Sequence, residues 1–193
     1  MLVISCHADT GFREHRLARR CGGIFYGHLD NFAGVYCVMQ AFFSGRLNRP
    51  NARIELTYGE ESGFAGAREV LETLRPRDFV IVVDVSGTPT EMDFVIEKCG
   101  DALMRRFLTR SLAGMKYDIY EGCLDPIADR DETDVYRAKC PATCFVGVPC
   151  AGGDYNAGMV SCKQASLEAV AEALCRLAEN FGAFCAAEGL RED

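Results

Sequence analysis

The sequence predicts one α/β domain, a three-layer αβα sandwich around a largely parallel, mixed central sheet. Three observations carry that prediction. Short apolar runs alternate along the chain with longer segments whose apolar residues recur at helical spacing. Gly, Pro, Asn and Asp punctuate the joints between them. The 193 residues are enough to bury one real core, and no internal repeat, low-complexity tract or linker divides them, so residues 1–193 read as a single domain.

The first apolar run, "LVIS" (2–5), reads as a strand and is followed by a glycine-rich connection. A helical pattern, "NFAGVYCVMQAFFSG" (31–45), comes next. "RIELTY" (53–58) alternates as a strand does, and "GFAGAREVLETL" (63–74) then reads as a helix. "DFVIVVDVS" (78–86) is apolar throughout, as a strand covered on both faces must be. "DFVIEKC" (93–99), "YDIYEG" (117–122) and "TCFVGVP" (143–149) are further strands. "DALMRRFLTRSLAGM" (101–115) and "DETDVYRAK" (131–139) are helices between them. The closing segment, 163–189, is a long helix with Leu167, Val170, Ala171, Leu174 and Leu177 on one face.

Composition narrows the function classes. Hydrophobic content of 49% and charged content of 25% are those of an ordinary globular protein. A net charge of -7 with no basic stripe argues against nucleic-acid binding. "MLVISC" is too short for a signal peptide, and no apolar run is long enough to cross a bilayer. The eleven cysteines are odd in number and lack a CxxC pair, and the spacing of Cys140, Cys144 and Cys150 fits no usual zinc finger. Free thiols in a reducing cytoplasm are the expectation.

Chemistry-bearing residues collect where strands end. After "LVIS" come His7 and Asp9; Asp30 opens the first long helix; Glu60 and Glu61 follow "RIELTY"; Asp84 stands late in "DFVIVVDVS". In open α/β sheets these carboxyl ends form the working edge. Each residue alone has a plain role: Asp9 in a turn, Asp30 and Asp84 as caps, the two glutamates at a helix start. Together they would repel unless a cation sat among them. Imidazole plus hard oxygen donors suits zinc first, then manganese or cobalt.

On "HAD", "LDNFAG", "GEESGFAG", "VVDVSG" and "DETDVYRAKCPATCFVGVP", in that order, the sequence resembles the co-catalytic di-zinc exopeptidases, the superfamily of metallopeptidase families 20, 28 and 42. The resemblance implies a zinc-exopeptidase-like fold; the chain departs from the larger families in having no room for their lid or dimerisation insert, so a bare catalytic core is expected. The resemblance also implies that His7 and Asp84 bind a first metal, that Asp30 bridges to a second, and that Asp9 orients His7. The bond from Asp30 to Asn31 is often cis in such enzymes. Glu61 would bind the second metal, and Glu60 would be the general base that activates water for attack on an amide.

A second departure concerns a ligand. The final histidine is replaced in "CAGGDYNAGMVSCKQ" by Asn156, with Asp154 the other nearby oxygen donor. His15 and His28 lie out of order for the role, and His28 reads as structural. The expectation is thus a cytoplasmic, metal-dependent exopeptidase, aminopeptidase-like, or an amidohydrolase of small peptides, needing one or two zinc ions and neither nucleic acid nor membrane. A homo-oligomer is compatible with it. The alternative is a catalytically impaired homologue that binds a peptide, metabolite or partner through the same cleft.

Overall fold

The computed structural model describes residues 1–14, 16, 19–128 and 130–190, with the backbone alone described for 19–21. Four parallel strands make its centre: β4 (Ala52–Thr57), β1 (Leu2–His7), β5 (Phe79–Ser86) and β8 (Thr143–Ala151), side by side in that order. β1 and β5 are buried along their whole length, which is why their sequences are apolar without interruption.

Alternate residues of these strands feed two cores. Leu2, Ile4, Ile81 and Val83 face α1 (Phe32–Phe43), α3 (Ala102–Ser111) and α5 (Gln164–Ala187). Val3, Val80 and Val82 face α2 (Ala65–Thr73) and α4 (Glu132–Tyr136). The period of two along a strand therefore yields the three layers that the sequence predicts. On the larger side Phe79 meets Phe107 and Phe181 edge to face, at centroid separations of 5.6 and 5.3 Å.

Beyond β8 the pairing becomes mixed, antiparallel throughout except for one short parallel pair. The first half of β8 pairs with β6 (Phe94–Glu97), which carries β7 (Tyr117–Ile119) in parallel. Its last residues pair with β9 (Val160–Lys163), which pairs with β3 (Ile24–Gly27) and through it β2 (Arg19–Cys21). The sheet has nine strands among the described residues. The strands β2, β3 and β9 stand where the sequence reading has only connections. They are three or four residues long, too short for a periodic signal. The recoverable clue is "CGGI": Gly22 and Gly23 both have positive φ, as a two-residue hairpin turn demands. No helix among the described residues is long and apolar enough to cross a membrane.

Candidate metal centre

The registers of the parallel strands place the site. His7, the last residue of β1, lies opposite Thr57, the last of β4, so the turn carrying Glu60 and Glu61 starts beside it. Asp84 comes up on the other side, from β5. Asp30 arrives from the segment before α1, where Asn31 is the N-cap and accepts the Gly34 N–H at 2.9 Å. The Asn31 amide donates to Val83 O at 2.9 Å and to Cys6 Sγ at 3.3 Å, tying the helix start to β5 and β1. The peptide bond from Asp30 to Asn31 is cis.

These contacts bring His7, Asp30 and Asp84 together. His7 Nε2 lies 3.1 Å from Asp84 Oδ2 and 3.2 Å from Asp30 Oδ1. Asp9 Oδ1 is 3.5 Å from His7 Nδ1. Two groups of donors in which all atoms lie within 4.8 Å of one another result: His7 with Asp30 and Asp84, and His7 with Glu60 and Glu61. Neither contains a cysteine. Asn156 sits exposed in the turn between β8 and β9, its backbone N–H donating to Asp154 Oδ1 at 2.9 Å. His28 stacks on Phe12 with ring centroids 3.9 Å apart, and its Nδ1 accepts the Arg16 N–H at 3.2 Å, which fits the structural role read from sequence. His15 lies outside the described residues.

Burial and mutual charge dominate the electrostatics of the cluster. His7 is 1% exposed, and burial pulls its pKa down. The charges of Asp84 and Asp30, and hydrogen bonds to both, outweigh that and push it up to about 12. Burial raises Asp84, against the pull of His7, and Asp30 raises it further. Glu60 is pushed up to about 8 by burial, with His7 opposing and Asp84 and Asp30 adding to the rise. Glu61 is raised by burial and then by Asp30. Buried His7 Nδ1 makes no hydrogen bond, and buried Asp30 Oδ1 has only its 3.2 Å contact to His7 Nε2. A buried carboxylate oxygen shared only with an imidazole is one a divalent ion would satisfy, and imidazole with carboxylates is a donor set that fits zinc.

Several supporting residues carry no sequence signal. Glu132 of α4 is 1% exposed beneath His7 and accepts from Ser5 Oγ at 2.7 Å and from Thr57 Oγ1. Asp125 accepts from the Gly87 N–H at 2.6 Å and from the Tyr155 hydroxyl at 2.8 Å, joining three loops at the rim. Tyr155 lies near enough to Asp84 and Asp30 for their charges to raise its pKa, after burial and Asp125. The acids at the start of α4 form a capping box from Asp131 to Asp134.

No protein-family model and no curated protein matches the chain. Solved structures do. An M18-family aminopeptidase from Thermotoga maritima is 15% identical with a TM-score of 0.65, over 83% of this chain and 48% of that one. A TET aminopeptidase from a marine sediment thaumarchaeote is 15% identical with a TM-score of 0.66, over 88% and 54%. An aminopeptidase from Desulfurococcus kamchatkensis is 14% identical with a TM-score of 0.67, over 84% and 51%. The chain thus spans about half the length of these proteins. What it shares with them is the fold: a mixed sheet flanked by helices, as in these aminopeptidases.

Proposed function

We propose that the protein is a metal-dependent hydrolase of amide bonds in small peptides, aminopeptidase-like in its chemistry. The convergence of His7, Asp30 and Asp84 on one point, their donor atoms all within 4.8 Å of one another, is the observation that carries this reading. His7, Asp30 and Asp84 would hold the first divalent ion, with Glu61 and Asp30 on the side of a second. A bound zinc, or manganese or cobalt, supplies Lewis acidity: it acidifies water and polarises a carbonyl.

The chain's own residues do the rest. Glu60, half-buried beside the cluster, takes the proton of the attacking water on its carboxylate and delivers it to the departing amine. Asp9, with Oδ1 3.5 Å from His7 Nδ1, is placed to orient the ring. The loop from Asp9 also reaches Glu61, through a hydrogen bond from the Gly11 N–H that lowers its pKa against the rise from burial and Asp30. One structural neighbour, from S. cerevisiae, is a dodecamer, and a homo-oligomer is the assembly we propose here.

Metal analysis of protein purified without chelator, with hydrolysis of a panel of aminoacyl anilides and dipeptides, tests the reading. At least one equivalent of metal and measurable turnover are expected. Bound metal without turnover of any substrate would favour the alternative, an impaired homologue that binds a peptide or partner in the same cleft. The specific feature behind that second reading is Asn156, which stands where the resemblance calls for a final ligand histidine. No bound metal at all would sink both.

A further inference from the structure

β4 stands at the edge of the sheet and pairs with β1 alone among the described residues. The turn bearing Glu60 and Glu61 hangs from the end of that edge strand. Its own bonds are internal: Gly59 O accepts the Gly63 N–H at 3.0 Å and the Phe64 N–H at 2.6 Å. The last backbone rung to β1 is the Ala8 N–H donating to Thr57 O at 2.9 Å, and the Glu60 N–H meets Asp9 Oδ1 only at 3.5 Å. The other half of the cluster is anchored more deeply. Asn31 ties the Asp30 segment to β5 and β1, and Asp84 lies within β5, flanked by a strand on each side.

A side chain from α4 makes good the difference. Ser5 and His7 are two apart on β1 and Thr57 lies opposite His7, so all three side chains leave the sheet on one face. Glu132 reaches that face and spans it. One carboxylate oxygen accepts from Ser5 Oγ at 2.7 Å, and the other accepts from Thr57 Oγ1. A single buried carboxylate thus bridges β1 to β4 at the level of His7. Burial raises its pKa, while the Thr57 and Ser5 hydrogen bonds and then the charge of His7 lower it.

Glu132 is itself held from the far side. α4 is five residues long, too short to persist alone. Lys98, just past β6, fixes its first turn, with Nζ 3.0 Å from Asp131 Oδ2 and 3.0 Å from Asp134 Oδ2. The Lys98 backbone has a φ of 50°, a left-handed conformation that persists in a residue with a side chain only where its surroundings impose it. One helical turn beyond Glu132, the Tyr136 hydroxyl lies 2.8 Å from Ser5 Oγ and closes the arrangement.

We propose that Glu132 is a positioning residue: by bridging Ser5 and Thr57 it sets the spacing between His7 and the Glu60–Glu61 turn. It touches no reacting atom and acts through Glu60, so its consequence for catalysis rests on the function proposed above.

Thr57→Val tests the bridge by cutting its β4 arm while keeping the shape of the side chain. In metal-free protein, hydrogen exchange of the Ala8 amide should speed at least about tenfold, while that of Gly34, bonded to the Asn31 cap beside Asp30, stays within about twofold. A substitution that only weakened the fold would speed both alike. In metal-loaded protein kcat should fall about tenfold with KM within about threefold, because a misplaced base slows the chemical step more than binding. Affinity for the first ion should stay within about threefold. Glu132→Gln is the conservative control: its carbonyl oxygen still accepts from Thr57, and its amide donates to Ser5 Oγ once that hydroxyl turns its proton to Tyr136. Ala8 exchange and kcat should then stay near those of the unaltered protein. Ala8 and Gly34 speeding alike, Ala8 unchanged in Thr57→Val, or Glu132→Gln loosening Ala8 as much as Thr57→Val does would each overturn the proposal, whatever the protein hydrolyses. Ala8 loosened with kcat unchanged would confine the bridge to stability and overturn it too. Local loosening of Ala8 in a protein that turns over no substrate supports the bridge and removes the hydrolase.

Discussion

Asp84 divides its two carboxylate oxygens, Oδ1 accepting its neighbour's Val85 N–H at 2.7 Å while Oδ2 faces His7 Nε2 at 3.1 Å. One oxygen is fixed to the strand and the other is presented to the cluster. Asp84→Asn keeps the shape but halves the chance of an oxygen facing His7 and removes the charge. Metal affinity should fall at least about tenfold in a competition titration against a chelator. Unchanged affinity would place the metal elsewhere.

The two adjacent glutamates are expected to separate by function. Glu60→Gln should keep its metal and lose about 10²-fold or more in kcat, because it removes proton transfer without removing a ligand. Glu61→Gln should weaken the second metal first, and excess metal should restore part of its activity. Equal metal loss in the two variants, read by elemental analysis, would contradict this division.

In metal-free protein, stability should fall as pH rises from about 4.5 to about 8. Glu60 has its folded pKa raised from 4.5 to about 8, so its contribution is present below the lower value and lost as pH passes the upper one. Asp84 is shifted in the same direction. His7, raised from 6.5 to about 12, adds a loss that continues above neutrality. Glu172 and Glu179, held low by Arg46, titrate beneath this window. Thermal melts with chelator should drop across the range, and excess zinc should reverse the trend because it competes with the protons. A chelated protein whose melting temperature climbs from pH 5 to pH 8 would rule this out.

Gly34 has no room for a side chain: a Cβ there would lie 2.2 Å from Asn31 Oδ1. Gly34→Ala must dislodge the Asn31 cap, at about 1–2 kcal/mol, and with it the anchor of neighbouring Asp30. Chemical denaturation and metal titration should therefore worsen together. A stability loss with metal affinity untouched would separate the cap from the site.

Glu132→Met should cost about 2–4 kcal/mol, since it leaves the buried Ser5 and Thr57 hydroxyls without their acceptor. Urea unfolding of the metal-free protein measures it. A change within about 0.5 kcal/mol would mean that Tyr136, 2.8 Å from Ser5 Oγ, takes over the role.

Replacing Asn156 with His tests the departure from the family pattern. An amide oxygen is a weaker zinc donor than imidazole, so the natural protein should retain at most one tightly held ion after dialysis. Asn156→His should raise affinity for the second. Two tightly held equivalents in the unaltered protein would show that another group already serves there.

The sequence by itself determined the layers and the working edge. Apolar runs such as "DFVIVVDVS" admit only a strand covered on both faces, and the helical spacing of 163–189 admits only an amphipathic helix. Because strand ends carry the residues that follow them, His7, Asp30, Glu60, Glu61 and Asp84 could be named from order alone. Tertiary structure decided what depends on pairing across long separations. The short strands β2, β3 and β9 exist because β8 offers them an edge, not because three or four residues prefer to be extended. Glu132 between Ser5 and Thr57, and Asp125 between Gly87 and Tyr155, are likewise invisible locally. A polar residue's role is set by which partners the fold brings to it, and a linear sequence holds no distance between residues that meet only when the sheet has closed.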